Sequence, residues 1–125
     1  MNQQKIEIEI EETAEYHILR AVGDFDVYTV GTLRDSIGAM IEEGKTVVVV
    51  DLDEVPFMDS SGLGALMGGV RRLREAGGDL AISCTREPHL KLFDITGFGE
   101  GVSIAATVEE AAKGLRDGAG SRGSS

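Results

Sequence analysis

The sequence predicts an α/β fold: a single domain built on a mixed, mostly parallel sheet of about five strands with about four helices. Three observations carry this. The run KTVVVVDL (residues 45–52) is β-branched with no polar alternation, the pattern of a parallel strand covered on both faces. After it, Leu63, Leu66, Met67, Val70 and Leu73 recur at helical spacing, and DLAISC (79–84) then supplies a second run of the buried type. Strand, helix and strand across connections of this length imply right-handed crossovers onto a parallel sheet centred on the valines.

The remaining elements follow in order. KIEIEI alternates apolar and acidic residues with period two, so it is a strand with one wet face near a sheet edge. AEYHILRAVGD also reads as strand, and the short polar link from Glu11 to Glu15 suits an antiparallel hairpin. Val30, Leu33, Ile37, Met40 and Ile41 mark an amphipathic helix stopped by Gly44, and the second helix stops at Gly77 and Gly78. EPHLKLFDITG is a short helix opened by Pro88, GVSIAA a short last strand and TVEEAAKGLRD a capped final helix. Residues 1–116 thus form the domain. Residues 117–125, Gly/Ser-rich and without an apolar residue larger than alanine, are expected to be a flexible tail.

Bulk properties exclude several function classes. The 125 residues carry 22 acidic and 12 basic side chains, a net charge of -10 that repels phosphate backbones and anionic lipids. The one dense basic group is Arg71, Arg72 and Arg74, so nucleic acid is not an expected partner. No run approaches the length that spans a bilayer, and the N-terminus lacks the basic lead and apolar core of a signal peptide. The single cysteine, Cys84, lies in an apolar run and has no partner for an internal disulfide, which fits a reducing, cytoplasmic setting.

The connection DEVPFMDSS leaves the C-terminal end of the central strand, where open α/β sheets carry their sites. Pro56 interrupts it, Phe57 and Met58 stand where a loop is ordinarily polar, and Asp59 and Ser60 are successive N-cap types. Capping alone would explain an acid and a serine at a helix start. It does not explain Gly62, Gly64, Gly68 and Gly69 inside the helix, each costing about 0.5–1 kcal/mol relative to alanine. On a helical wheel Gly64 and Gly68 fall opposite the apolar stripe, with Ser61, so small residues there either let a partner approach closely or merely fit a neighbouring loop. A serine at the positive end of this helix is also a place for a phosphate, held by free backbone amides and the helix dipole.

Catalytic readings lack their parts. A serine nucleophile needs a base, and the two histidines lie elsewhere: His17 in a strand, His89 in a turn after Pro88, both expected at the surface or half-buried. G-x-S-x-G is absent because Met58 stands two before Ser60 and Asp59 two before Ser61. No G-K-[ST] follows the glycines, and no His or Cys pair has metal spacing, so neither metal nor cofactor is expected. Asp51, Asp53 and Asp59 are the carboxylates nearest to a cation site, although acids flanking a loop are ordinarily just solvated.

MDSSGLGALMG after VVVVDLDEVPF resembles the phosphorylation-site motif of the bacterial anti-sigma factor antagonists, members of the STAS domain family. GDFDVYTVGTLRDSI is similar to that family's first strand-to-helix segment, with Asp26 and Thr29 in its characteristic places, and LAISCTREPHLKLFDITGF to the strand and helix after the site. Two departures bear on partner choice: Phe25 replaces a smaller aliphatic residue, and EGVSIAAT matches weakly.

The resemblance implies a partner-switching phosphoprotein in transcription regulation, in stress response or sporulation. It names Ser60, the serine after the aspartate, as the acceptor. An anti-sigma factor with serine-kinase activity modifies it, a metal-dependent serine phosphatase restores it, and the unmodified form binds the anti-sigma factor and frees the sigma factor. The implied partner surface comprises Asp26, Thr29, Asp59, Ser61, Gly62, Leu63, Gly64 and Gly68. The rival is a STAS scaffold in a larger signalling assembly that is never phosphorylated. An enzyme, requiring a ligand-sized polar pocket around His17 or His89, stands further off.

Overall fold

The valine run occupies the middle of a five-stranded sheet, where its composition requires burial on both sides. The computed structural model describes residues 5–115. Its strands are β1 (Glu7–Glu12), β2 (His17–Val22), β3 (Val47–Glu54), β4 (Asp79–Ser83) and β5 (Ile104–Ala105), in spatial order β1-β2-β3-β4-β5. β1 pairs antiparallel with β2, and the other neighbours are parallel, which is the mixed sheet expected. The helices are α1 (Val30–Glu42), α2 (Ser60–Glu75), α3 (Glu87–Thr96) and α4 (Val108–Ala112), with one further 3-10 turn at Phe98–Glu100.

Side chains alternate along a strand, so β2, β3 and β4 feed two cores at once. On one face Leu19, Val48, Val50, Leu80 and Ile82 pack beneath α1, α2 and Phe93 of α3. On the other, Ile18, Val49 and Ala81 pack beneath Val108 and Ala111 of α4. Burial on both sides explains why β3 shows no polar alternation.

Several expectations shift in detail. β1 extends to Glu12, opposite His17, because the reversal is a tight turn in which the Thr13 hydroxyl donates to the Tyr16 carbonyl at 2.7 Å. The last strand pairs only at Ile104 and Ala105, and the described part of the final helix is five residues, capped by Thr107 accepting from the Glu110 amide. Met67 is 47% exposed rather than part of the apolar stripe. The buried arc of α2 is turned instead toward Gly62, Ala65 and Gly69, whose small size admits large neighbours: a Cβ on Gly69 would lie 2.8 Å from Ile37 Cδ1. The tail expected at 117–125 lies outside the described residues.

Parallel strands bring three loops to one end of the sheet: 23–29 after β2, 55–59 after β3 and 84–86 after β4. Hydrogen bonds tie the outer two to the end of β3. The Gly23 amide donates to the Glu54 carbonyl at 3.1 Å, and on the other side the Thr85 amide donates to Asp53 Oδ1 at 2.7 Å.

Candidate functional site

The middle loop is held as a near-continuation of the sheet. Phe25 and Met58 form a parallel bridge, in which the Phe25 amide donates to the Phe57 carbonyl at 2.9 Å and the Asp59 amide to the Phe25 carbonyl at 3.2 Å. Both bridging side chains are buried and press on the first turn of α2. A Cβ on Gly62 would stand 2.7 Å from Phe25 Cβ and 2.8 Å from Met58 Cγ, so glycine is required there by close approach. Met58 is thus an anchor, and Phe57 beside it is left 50% exposed.

Asp59 is the N-cap of α2, its Oδ1 accepting from the Ser61 amide at 2.9 Å and the Gly62 amide at 3.3 Å. This satisfies two of the orphan donors at the helix start. Two of the amides expected to hold a phosphate, those of Ser61 and Gly62, are therefore already bonded to a carboxylate. Ser60 is the first helical residue and is exposed, whereas Ser61 is half-buried. One turn on, Leu63 is buried in the core, and Gly64 and Gly68 look outward, with no atom within 4 Å of where a Cβ would be. Gly62 thus belongs to the inner side of α2, and the open small-residue face is Gly64 with Gly68.

Beside the serine, the loop after β2 is shaped by Thr29. Its buried hydroxyl donates to the Asp24 carbonyl at 2.6 Å and accepts from the Asp26 amide at 3.0 Å, and Asp26 Oδ1 accepts from the Tyr28 amide at 2.9 Å. The bend thrusts Val27 and Tyr28 into solvent, 63% and 81% exposed. Periodicity singles out neither residue. The one available signal is the one Phe57 gives, an apolar side chain inside a loop flanked by polar turn residues.

Among the described residues neither histidine is hydrogen-bonded to Ser60 or Ser61. His89 lies within α3, not in a turn, and it is buried at 2% exposure with Nε2 2.6 Å from the Val55 carbonyl. It is buried because α3 lays its first turn on the base of the Ser60 loop. His17 is half-buried at the start of β2, with Nε2 buried and without a hydrogen-bond partner among the described residues. It lines a depression of about 180 Å³ with Glu12, Tyr16, Lys45 and Thr46, at the end of the strands opposite Ser60. The carboxylates of the loop region are engaged: Asp51 with Arg20 at 3.4 Å, Asp53 with Thr85, and Asp59 with the helix start. Among the described residues no cluster of three or more His, Cys, Asp or Glu is arranged to hold a metal ion, and no helix is long and apolar enough to cross a membrane.

The family model of the STAS domain matches residues 7–111. The chain belongs to the STAS domain family. The anti-sigma-B factor antagonist of Bacillus subtilis (strain 168) is 34% identical to this STAS domain over 87 residues, 70% of this chain and 79% of that protein. The Bacillus cell fate determinant SpoIIAA in its phosphorylated form superposes with a TM-score of 0.66 at 29% identity, covering 86% of this chain and 97% of that one. The anti-sigma factor antagonist SpoIIAA in its unphosphorylated form gives a TM-score of 0.66 at 28% identity, over 86% and 96%.

Proposed function

We propose that this STAS domain is a cytoplasmic anti-sigma factor antagonist switched by phosphorylation of Ser60. The observation that carries the reading is the placement of an exposed serine at the first position of α2, directly beside an outward face of Gly64 and Gly68. The relatives named as antagonists, and a neighbour of known structure in both phosphorylated and unphosphorylated forms, support it.

In this reading the unmodified protein binds an anti-sigma factor that is also a serine kinase. Gly64 and Gly68 let the partner's backbone come close, Asp26 and Ser61 border the contact, and Val27, Tyr28 and Phe57 add apolar area. Thr29, Asp59, Gly62 and Leu63 act from beneath, holding the shape of the surface. Bound to the kinase, Ser60 Oγ attacks the γ-phosphorus of the kinase's ATP. The Oγ–P bond forms as the bond to the ADP oxygen breaks, and the hydroxyl proton passes to a base of the kinase.

The phosphate brings about -1.5 to -2 of charge to the contact. Asp59 already occupies the Ser61 and Gly62 amides, so those donors do not neutralise it. Like charges juxtaposed at an interface cost several kcal/mol, and 2.8 kcal/mol is a hundredfold in affinity. Release follows, and a metal-dependent serine phosphatase resets the protein by hydrolysing the ester.

Intact-mass analysis after incubation with ATP and lysate from the source organism tests the assignment. Wild type and Ser61→Ala should each gain one phosphate and Ser60→Ala none. No phosphate on any of the three, in a lysate that modifies a control antagonist, favours a constitutive scaffold instead.

A further inference from the structure

We propose that His89 is a positioning residue for the switch, setting through Val55 the path of the loop that presents Ser60. The inference rests on the reading of Ser60 as the phospho-acceptor. A carbonyl oxygen can only accept, so the 2.6 Å contact places the imidazole proton on Nε2, donating to Val55. The bond joins α3 to the first residue beyond β3, where the chain turns toward Pro56 and the serine. Two neighbouring bonds secure the strand end just before it: Arg86 Nε donates to the Asp53 carbonyl at 2.8 Å, and the Thr85 hydroxyl to Asp53 Oδ1 at 3.0 Å. From the opposite side the loop is gripped by Phe25.

A side chain at this position is 2% exposed, and an aliphatic residue would fill the same space without the desolvation cost of a buried imidazole. What the histidine adds is a directed donor, and that donor meets the backbone of the Ser60 loop. With the bond gone, a buried carbonyl is left without its partner and the loop gains freedom at its base. The kinase then meets Ser60 in the competent geometry less often.

The test compares His89→Leu, which removes the donor, with His89→Gln, whose side-chain nitrogen can take the place of Nε2. Where His89→Leu does not fold, His89→Asn, too short to reach Val55, replaces it. The first readout is amide hydrogen exchange in the full chain, independent of any kinase. The donor-less variant should exchange roughly tenfold faster than wild type at the hydrogen-bonded amides of the loop, Val55, Asp59 and the Phe25 amide paired with Phe57, the scale of one buried hydrogen bond, with β1 and β2 unchanged and Gln within about threefold of wild type. The second readout is phosphorylation by the cognate anti-sigma factor kinase: kcat should fall about tenfold with KM little changed, and Gln should restore it. Uniform acceleration of exchange across the protein, an unmoved loop, or failure of Gln to rescue would overturn the role of His89. Wild-type protein that is not modified at Ser60 by that kinase would instead overturn the reading of Ser60, while the exchange comparison still decides what His89 does to the loop.

Discussion

Replacing Gly64 and Gly68 together by alanine should stabilise the protein and weaken its partner complex at once. Both positions lie within α2, and a Cβ at either meets nothing within 4 Å, so no steric cost offsets the gain in helix propensity. That gain is about 0.5–1 kcal/mol for each glycine replaced, or about 1–2 kcal/mol for the pair. For a chain of this length each kcal/mol raises the melting temperature by roughly 3–5 °C, so a rise of roughly 3–10 °C is expected in calorimetry. In the proposed complex the two methyl groups would stand where the partner's backbone comes close. Overpacking of that kind costs about 1–3 kcal/mol, a loss of about 5- to 150-fold in the affinity of the unphosphorylated protein for its anti-sigma factor, read by isothermal titration. An unchanged or lower melting temperature would refute the open face. A higher melting temperature with wild-type affinity would refute the docking role while leaving the structure intact.

Gly62→Ala should do the reverse to stability, losing about 1–3 kcal/mol in urea unfolding because its methyl would collide with Phe25 and Met58; a wild-type midpoint would contradict the packing of that turn. Tyr28→Ser should leave the melting temperature within about 2 °C of wild type, since the ring is 81% exposed, while lowering partner affinity about tenfold; equal affinity would remove this loop from the interface. Burial pushes the Cys84 thiol above its ordinary range. A raised folded value means that the contribution is whole below the unfolded value of about 8.5 and is lost as pH climbs toward the folded one. As pH rises above that unfolded value the wild type should therefore lose stability relative to Cys84→Ala, and parallel curves would refute the assignment.

The strands were legible because their signals are local. Unbroken valine in β3 reports two covered faces and acid–isoleucine alternation in β1 a wet edge, and the sheet places β3 at its centre and β1 at its edge, where Ile8 is half-buried and Ile10 exposed. The orientation of α2 was less so. A wheel weights Met67 as heavily as Leu66, and nothing nearby in sequence says that Phe25 and Ile37, from another loop and another helix, fill the space beside Gly62 and Gly69. Glycine in a helix announces close approach without saying whether the visitor is the protein's own core or another molecule. The structure divides the four: Gly62 and Gly69 face inward, Gly64 and Gly68 outward.

At the serine the same limit applies to hydrogen bonds. Asp59 and Ser60 both have the chemistry of a cap, and the sequence alone allows either to take the helix amides. Once Asp59 takes them, the consequence for Ser60 is specific. A serine whose own oxygen capped the helix would have its hydroxyl buried in that bond, and modifying it would disturb the fold. Displaced by one residue, Ser60 is exposed while the helix is capped without it. A group added to its oxygen would then alter the surface and leave the helix start intact, as the proposed switch requires. Exchange of Asp59 for Ala tests that separation: if Ser60 then becomes the cap, its hydroxyl should lose reactivity toward the proposed kinase even though Ser60 itself is unchanged.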